Sequence, residues 1–315
     1  MTTIARLEEW KDNGIITAEQ FEAIARIVRR DRFSIFFELN GLLYLGVVSL
    51  IAGIGWVIEA YFANVGDAAI ISSLALLLFL SFYYCFTRSR PYSATLVESP
   101  NIAFDYVLYA GCLLFGLEVA YVENRFHLLN DNSDLYLLGS ALLFFALAYR
   151  FDNRLVLSLA LSSLAGWFGV RLSQSPLRYG GSLRPYAIAY GVIVAGMGGL
   201  LHKIGIKKHF TETYLHIAAN VTFIALVSGV HDENATWLYF VALLGFAGGA
   251  MVEGVRFRRF AFVAYGTVYG YVGISIKVLS QSIIDSTFAL TYLIISGIGV
   301  LGFMIFVARL FGREE

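Results

Sequence analysis

The chain has 315 residues, 58% of them hydrophobic and 15% charged, with a mean hydropathy of +0.69. Soluble domains hold about 45–50% apolar residues, so a soluble globular architecture is excluded. Lysine plus arginine equals aspartate plus glutamate at 23 each, which gives no footing for a nucleic-acid partner, and the two cysteines, Cys85 and Cys112, both fall inside apolar runs and exclude a disulfide framework.

Residues 1–40 read as a polar cytoplasmic module. Within it, 3–33 predicts two short helices around Asn13-Gly14, and Thr17 followed by Gln20 has the form of a capping box. Phe21, Ile24, Ala25 and Val28 line one face of the second helix, with Arg26, Arg29 and Arg30 opposite. Such a helix suits an anionic leaflet, each basic residue adding about 1 kcal/mol near the surface. Glu8, Glu9, Asp12 and Glu19 argue against a signal peptide, so the first span is expected to be an uncleaved start-transfer helix. Two uses of residues 1–33 follow: docking of a protein partner or a second copy, or a basic flank that sets topology.

The stretch from Leu7 to Phe21, with Gly14-Ile15-Ile16-Thr17-Ala18-Glu19-Gln20 at its centre, leads into a Gly/Tyr-rich array of apolar runs. In this it resembles a bacterial family of predicted membrane proteins built on a domain of unknown function, where a G-hydrophobic-hydrophobic-T-x-E-Q helix pair precedes multiple helices. The leader is also similar to two-helix modules of other bacterial membrane proteins. The resemblance implies a bacterial inner-membrane protein and brings no activity and no functional residues.

Beyond the leader, apolar runs predict helices over about 41–62, 68–86, 103–123, 135–150, 154–171, 185–202, 212–231, 236–254, 260–278 and 287–310. A bilayer core takes about 20 apolar residues per helix, and the runs are continuous where barrel strands would alternate. The expected fold class is an all-α membrane protein, a bundle of ten transmembrane helices over 41–311. With a cytoplasmic amino terminus, inside segments hold 18 lysines and arginines and outside segments 5, so the positive-inside rule places both termini in the cytoplasm. The connector 172–184, with Arg178, Arg184, Pro176, Gly180 and Gly181, is the dissenting segment.

Spans from about 104–203 lie over those from about 212–310 as a tandem parallel repeat. Tyr106, Ala110 and Phe115 match Tyr214, Ala218 and Phe223; Ala160, Gly166 and Gly169 match Ala264, Gly270 and Gly273; Tyr186, Gly191 and Gly196 match Tyr292, Gly297 and Gly302. A fainter echo lays Tyr44, Gly46 and Asp67 over Tyr109, Gly111 and Asp134, which makes a helical hairpin the candidate unit. Small residues at close-packing spacings, Gly191/Ala195/Gly199, Gly245/Gly249 and Ser162/Gly166 with their counterparts Gly266/Gly270, are expected at helix seams.

Ionisable and amide groups at membrane depth are the candidate site residues. Glu59 and Glu118 lie near the outer ends of the first and third spans, where they would face one outward vestibule. Asn220 lies near the middle of the seventh span with His216 one turn away on the same face. These four form the candidate substrate-binding set. Asp105, Glu212 and Glu253 sit beside inner-end arginines, as for salt bridges across hairpins, and Lys207 sits in a basic loop with His202, Lys203, Lys208 and His209 that the positive-inside rule alone explains, with lipid-phosphate binding as the alternative. None of the five histidines occurs in a His-Glu-x-x-His pattern, and no serine sits in a nucleophile elbow. The chain is therefore expected to be no enzyme and to need no metal or cofactor. A carrier or permease for a small solute or lipid is the leading expectation. A non-transporting scaffold or sensor that assembles partners through the leader is the alternative. Membrane lipids are expected partners in both.

Overall fold

The structure is a computed structural model that describes residues 3–21, 36–61, 66–129, 134–174, 183–231, 236–280 and 286–312. In chain order the long helices are α1 (Thr3–Asp12), α2 (Phe36–Tyr61), α3 (Asp67–Arg88), α4 (Ile102–Phe126), α5 (Leu135–Phe151), α6 (Arg154–Gln174), α7 (Arg184–Ile204), α8 (Thr211–Gly229), α9 (Thr236–Arg256), α10 (Phe260–Leu279) and α11 (Ser286–Gly312). A helix stands on each of the ten apolar segments, and no strand occurs among the described residues. Among the described residues, eight helices are long and apolar enough to cross a membrane. The remaining apolar stretches, Leu42–Ile58 of α2 and the whole of α5, are shorter. With 17 residues, α5 is about 25 Å long at 1.5 Å per residue, against about 30 Å of hydrocarbon.

The helices group in two compact units, residues 41–226 and residues 227–315 with 1–40. In the first unit one apolar core joins α4 to α8 through Phe104, Leu108, Phe144, Leu157, Val194 and Tyr214. A smaller cluster of Ile51, Ile70, Leu74 and Leu114 joins α2, α3 and α4. Lipid gives helices no hydrophobic reason to associate, so close approach at small residues carries the packing. On α7 the contact stripe is Gly191 and Gly198: a β-carbon at Gly191 would stand 2.2 Å from Thr222 Oγ1, and one at Gly198 would stand 2.6 Å from Tyr214 Cβ. Gly199, expected on that seam, faces open space, because Gly191 and Gly198 are two full turns apart and Gly199 is rotated off their line.

Charged groups at one end of this unit hold its turns. The connector 89–101 has no regular structure, so its peptide groups need partners elsewhere. Val97 N–H donates to Asp152 Oδ2 (2.6 Å), Lys207 N–H donates to Ala94 O (2.8 Å), Lys207 Nζ donates to Thr95 O (3.2 Å) and Arg150 Nη1 donates to Arg90 O (2.9 Å). Lys207 Nζ is also 2.8 Å from Asp152 Oδ2, with both side chains 1% exposed. His209 Nε2 bonds the second oxygen of Asp152. Asp152 ends α5 in the left-handed region, and Lys207 occupies the same region in the α7–α8 turn. Next to Asp152, Asn153 caps α6 by accepting from Leu155 and Val156 N–H, and its amide donates to Asp105 Oδ1 (2.8 Å). Lys207 is thus buried against a carboxylate rather than free for lipid phosphate. Asp105 bonds Asn153 and Ser99, while the expected cross-hairpin ion pair forms between Arg154 and Glu212 at 3.5 Å.

In the second unit α9 and α10 form a tight hairpin. A β-carbon on Gly266 would meet the backbone oxygen of Ala247 at 2.5 Å, whereas Gly245 and Gly249 have nothing within 4 Å. Of the two seams expected on this hairpin, the close approach occurs at Gly266 of α10 and not at Gly245/Gly249 of α9. Tyr271 and Tyr292 hydroxyls bond Ser296 and Ser275 (3.1 and 3.2 Å) between α10 and α11. In the leader, α1 closes with Gly14 at φ +71°, its N–H donating to Lys11 O while Ile15 N–H donates to Trp10 O. The capping box forms in both directions, Thr17 N–H to Gln20 Oε1 (2.9 Å) and Gln20 N–H to Thr17 Oγ1 (3.2 Å). Leu7 and Phe21 are buried together with Ile16 beside them. Ile24, Ala25 and Val28 lie outside the described residues.

Two outcomes test this packing. Gly266→Ala is expected to destabilise the detergent-purified protein by about 1–3 kcal/mol, since a methyl group would overlap backbone, while Gly245→Ala leaves the thermal midpoint unchanged; equal midpoints would refute the seam. Lys207→Met, which strands a buried carboxylate, is expected to cost about 3–5 kcal/mol, and Asp152→Asn combined with Lys207→Met is expected to cost less than the sum of the two single changes.

Candidate functional site

On α4, residues spaced by about one turn fall on a single face. Leu113, Leu117, Tyr121 and Arg125 are such a series, with Asn124 beside it. Val48, Ile51, Ala52, Gly55 and Trp56 supply the facing side of α2, and Asp67 opens α3. Between them lies a cleft of about 840 Å³, within the range of about 300–1,000 Å³ usual for ligand sites. Small residues make the room: Ala52, Gly55 and Ala120 line it, and a β-carbon on Gly55 would already stand 3.1 Å from Leu117 Cδ1. The buried cluster of Ile51, Ile70, Leu74 and Leu114 forms its support.

The cleft is apolar along its length and polar at one end. It runs about 15 Å along α2 from Val48 to Ile58 and about 18 Å along α4 from Leu113 to Arg125, at 1.5 Å per residue. At the far end Asp67 Oδ1 accepts from the Tyr121 hydroxyl (2.8 Å), and Arg125 Nε donates to both Asp67 oxygens (3.0 and 2.9 Å). Asp67 is held in the first turn of α3 and Arg125 in the last turn of α4. A carboxylate at a helix N-terminus and a guanidinium at a C-terminus each complement the local dipole. The pair therefore fixes the open end of the hairpin while leaving the Arg125 side chain 61% exposed. Trp56, also 61% exposed, stands on the α2 side. What this arrangement can do is hold an apolar body along α2 and α4 and present donors to a polar group at the helix ends. No group of three or more metal-ligating side chains occurs among the described residues.

Of the four residues expected at the site, His216 and Asn220 stand together on α8 and Glu118 stands on α4. Glu118 is half-buried on α4, one position from Leu117, and does not line the cleft. The side chain of Glu59 lies outside the described residues, so the shared vestibule with Glu118 does too. His216 and Asn220 sit half-buried one turn apart on α8. There the Asn220 amide donates to the His216 carbonyl (2.8 Å), and His216 Nε2 stands 3.9 Å from Glu212 Oε1. Neither lines the cleft. Asp67, Tyr121 and Arg125 are not evident as site residues in the sequence because each reads, taken singly, as a flanking or interfacial residue. The four-residue spacing Leu113, Leu117, Tyr121, Arg125 is the signal that marks them.

Residues 8–157 match a family described as Predicted membrane protein (DUF2157), of unknown function. The matched segment holds the leader motif, the cleft and the α5–α6 turn. No curated protein and no solved structure matches the chain.

If the cleft admits water at its polar end, a cysteine introduced by Ala120→Cys reacts with a water-soluble maleimide in the detergent-purified protein. The native Cys85 and Cys112, both 0% exposed, stay unlabelled until denaturant is added. An unreactive thiol in the Ala120→Cys variant, with the fold intact, would show the cleft to be closed.

Proposed function

We propose that this protein is a carrier of the bacterial inner membrane that binds a small solute or lipid in the cleft between α2, α3 and α4. The cleft is the observation that carries the reading: it has ligand-sized volume, an apolar length and a polar end. In this reading α2 and α5 join the eight longer helices as spans, giving ten, with the basic turns at Arg88, Arg150, Lys207 and Arg256 in the cytoplasm and the Asp67–Arg125 end outside. The carrier does no chemistry and needs no cofactor.

A hairpin-based tandem repeat of 104–203 and 212–310 belongs to the same proposal. Its support is that hairpins α5–α6 and α9–α10 both turn through a left-handed residue, Asp152 and Arg258. In three hairpins, too, a cation near the end of the second helix reaches the start of the first: Arg125 to Asp67, Arg171 to Asp134 at 3.7 Å, and Lys277 over the Trp237 ring at 4.3 Å.

A second reading, the scaffold, draws on the leader. Its capping box and its Leu7–Phe21 contact make a small folded module, and Trp10 and Ile15 are 46% and 66% exposed on it. This surface would take a protein partner or a second copy.

Reporter fusions after Arg30, at Lys208 and at Glu315 are expected to report cytoplasm, and fusions at Asn132 and Asn234 the outside; a periplasmic signal at Lys208 overturns the ten-span topology. In a cell that needs the protein, Ala120→Trp, which fills the cleft from an exposed position, is expected to abolish rescue while deletion of residues 1–33 retains it. The opposite pair of results transfers function to the leader.

A further inference from the structure

Resting on the carrier reading, we infer that the ligand of the α2–α4 cleft is an anionic amphiphile, a single apolar chain ending in a carboxylate or phosphate that the Arg125 guanidinium receives. Three observations on the cleft carry this.

The first is a difference between donors and acceptors at the polar end. Asp67 has little accepting capacity left, since Oδ1 takes the Tyr121 hydroxyl and Arg125 Nε, and Oδ2 takes Arg125 Nε. Arg125 spends only Nε. Its two terminal amino groups make no bond among the described residues, and the side chain is 61% exposed. A planar guanidinium keeps five N–H donors in a fixed fork, so four remain to receive an oxyanion, the geometry that makes arginine suited to carboxylate and phosphate. The neighbouring acids do not compete: Glu123 Oε2 accepts from Leu129 N–H at 3.2 Å, and Glu118 does not line the cleft.

Second, Arg125 is aimed rather than free. The Asp67 carboxylate holds Nε from one side and is itself held by Tyr121, so the fork loses little side-chain freedom when an anion arrives.

Third, the length suits a lipid chain in one leaflet. The cleft covers about 15–18 Å of helix, and half of a hydrocarbon core of about 30 Å is about 15 Å. Val48, Ile51 and Leu113 at its deep end are apolar, with Asn124 and Arg125 at the other end. A soluble anion would leave that apolar length unfilled. A neutral lipid would leave the donors unused.

The test uses the full chain in phosphatidylcholine nanodiscs and a photoactivatable fatty acid bearing a diazirine on its chain, with crosslinks mapped by mass spectrometry. The corresponding fatty alcohol serves as the neutral arm and inorganic phosphate as the soluble competitor. The fatty acid is expected to label the α2 and α4 walls. Arg125→Gln is expected to lower that labelling about tenfold, the usual weight of a charge-assisted hydrogen bond, and Ala120→Trp to remove it. Arg125→Lys, which keeps the charge without the fork, should lie between the unaltered protein and Arg125→Gln. If acid and alcohol label equally and Arg125→Gln changes nothing while Ala120→Trp still blocks, the anionic class is wrong and the carrier cleft stands. If inorganic phosphate displaces the fatty acid fully, the ligand is a soluble oxyanion and the amphiphile is overturned. If neither amphiphile labels the cleft and Ala120→Trp has no effect, the cleft binds no lipid and both readings fall.

Discussion

A backbone peptide group outside a helix must find its hydrogen-bond partners elsewhere, and each one left buried and unsatisfied costs about 1–3 kcal/mol. The first unit is arranged around that constraint. Its connector 89–101 has no helix of its own, so the ends of α5, α7 and α8 supply the partners: Asp152 for Val97, Lys207 for Ala94 and Thr95, Arg150 for Arg90. Once a buried lysine amine and a buried carboxylate serve the same connector, they must meet. The Lys207–Asp152 contact is thus as much a result of satisfying the backbone as a source of stability, consistent with the small net gain of buried ion pairs over apolar packing. Its effect on architecture is large, because one contact ties the α3–α4, α5–α6 and α7–α8 turns together and leaves α4 to α8 around a common core.

How much of this was legible in the sequence follows from the range of each interaction. Helix positions were legible because hydropathy is local: all ten apolar segments carry helices, with ends within a few residues of expectation except at the start of α2. The capping box was legible because Thr17 and Gln20 are three residues apart. Asp152 and Lys207 are 55 residues apart, and in sequence each reads as an ordinary residue of a basic inner turn. Glycine spacing was legible as a tendency to pack but not as a direction. Gly191 and Gly266 lie on the seams their spacing suggests, while Gly199 and Gly245 point to open space and Gly198 takes a contact its spacing did not mark. A one-residue shift rotates a side chain by about 100° on a helix of 3.6 residues per turn, and several glycines in each helix fit more than one seam.

The candidate site shows the same limit from the chemical side. Depth in the membrane singled out Glu118, His216 and Asn220, because a polar group far from water is costly. The structure meets part of that cost locally, the Asn220 amide bonding its own helix at the His216 carbonyl. A polar residue expected to be deep can therefore stand apart from the cleft. The cleft lies beside the α2–α3–α4 cluster, which is smaller than the α4–α8 core, and its polar groups stand at helix ends.

Two hairpins of the first unit carry an acid at the start of the first helix and an arginine near the end of the second, and their difference bears on what each does. Asp134 is fully buried, with Arg171 Nη1 at 3.7 Å. Asp67 is partly exposed and bonded on both oxygens by Arg125 Nε. A buried carboxylate faced by a cation is a clamp, since removing either partner leaves an uncompensated charge in a poor solvent. An exposed pair with good geometry adds little to stability, so stability alone gives weak reason for the Tyr121–Asp67–Arg125 chain of hydrogen bonds. Its physical product is an arginine with a fixed direction and unspent donors, set at the mouth of an apolar cleft about 15–18 Å long.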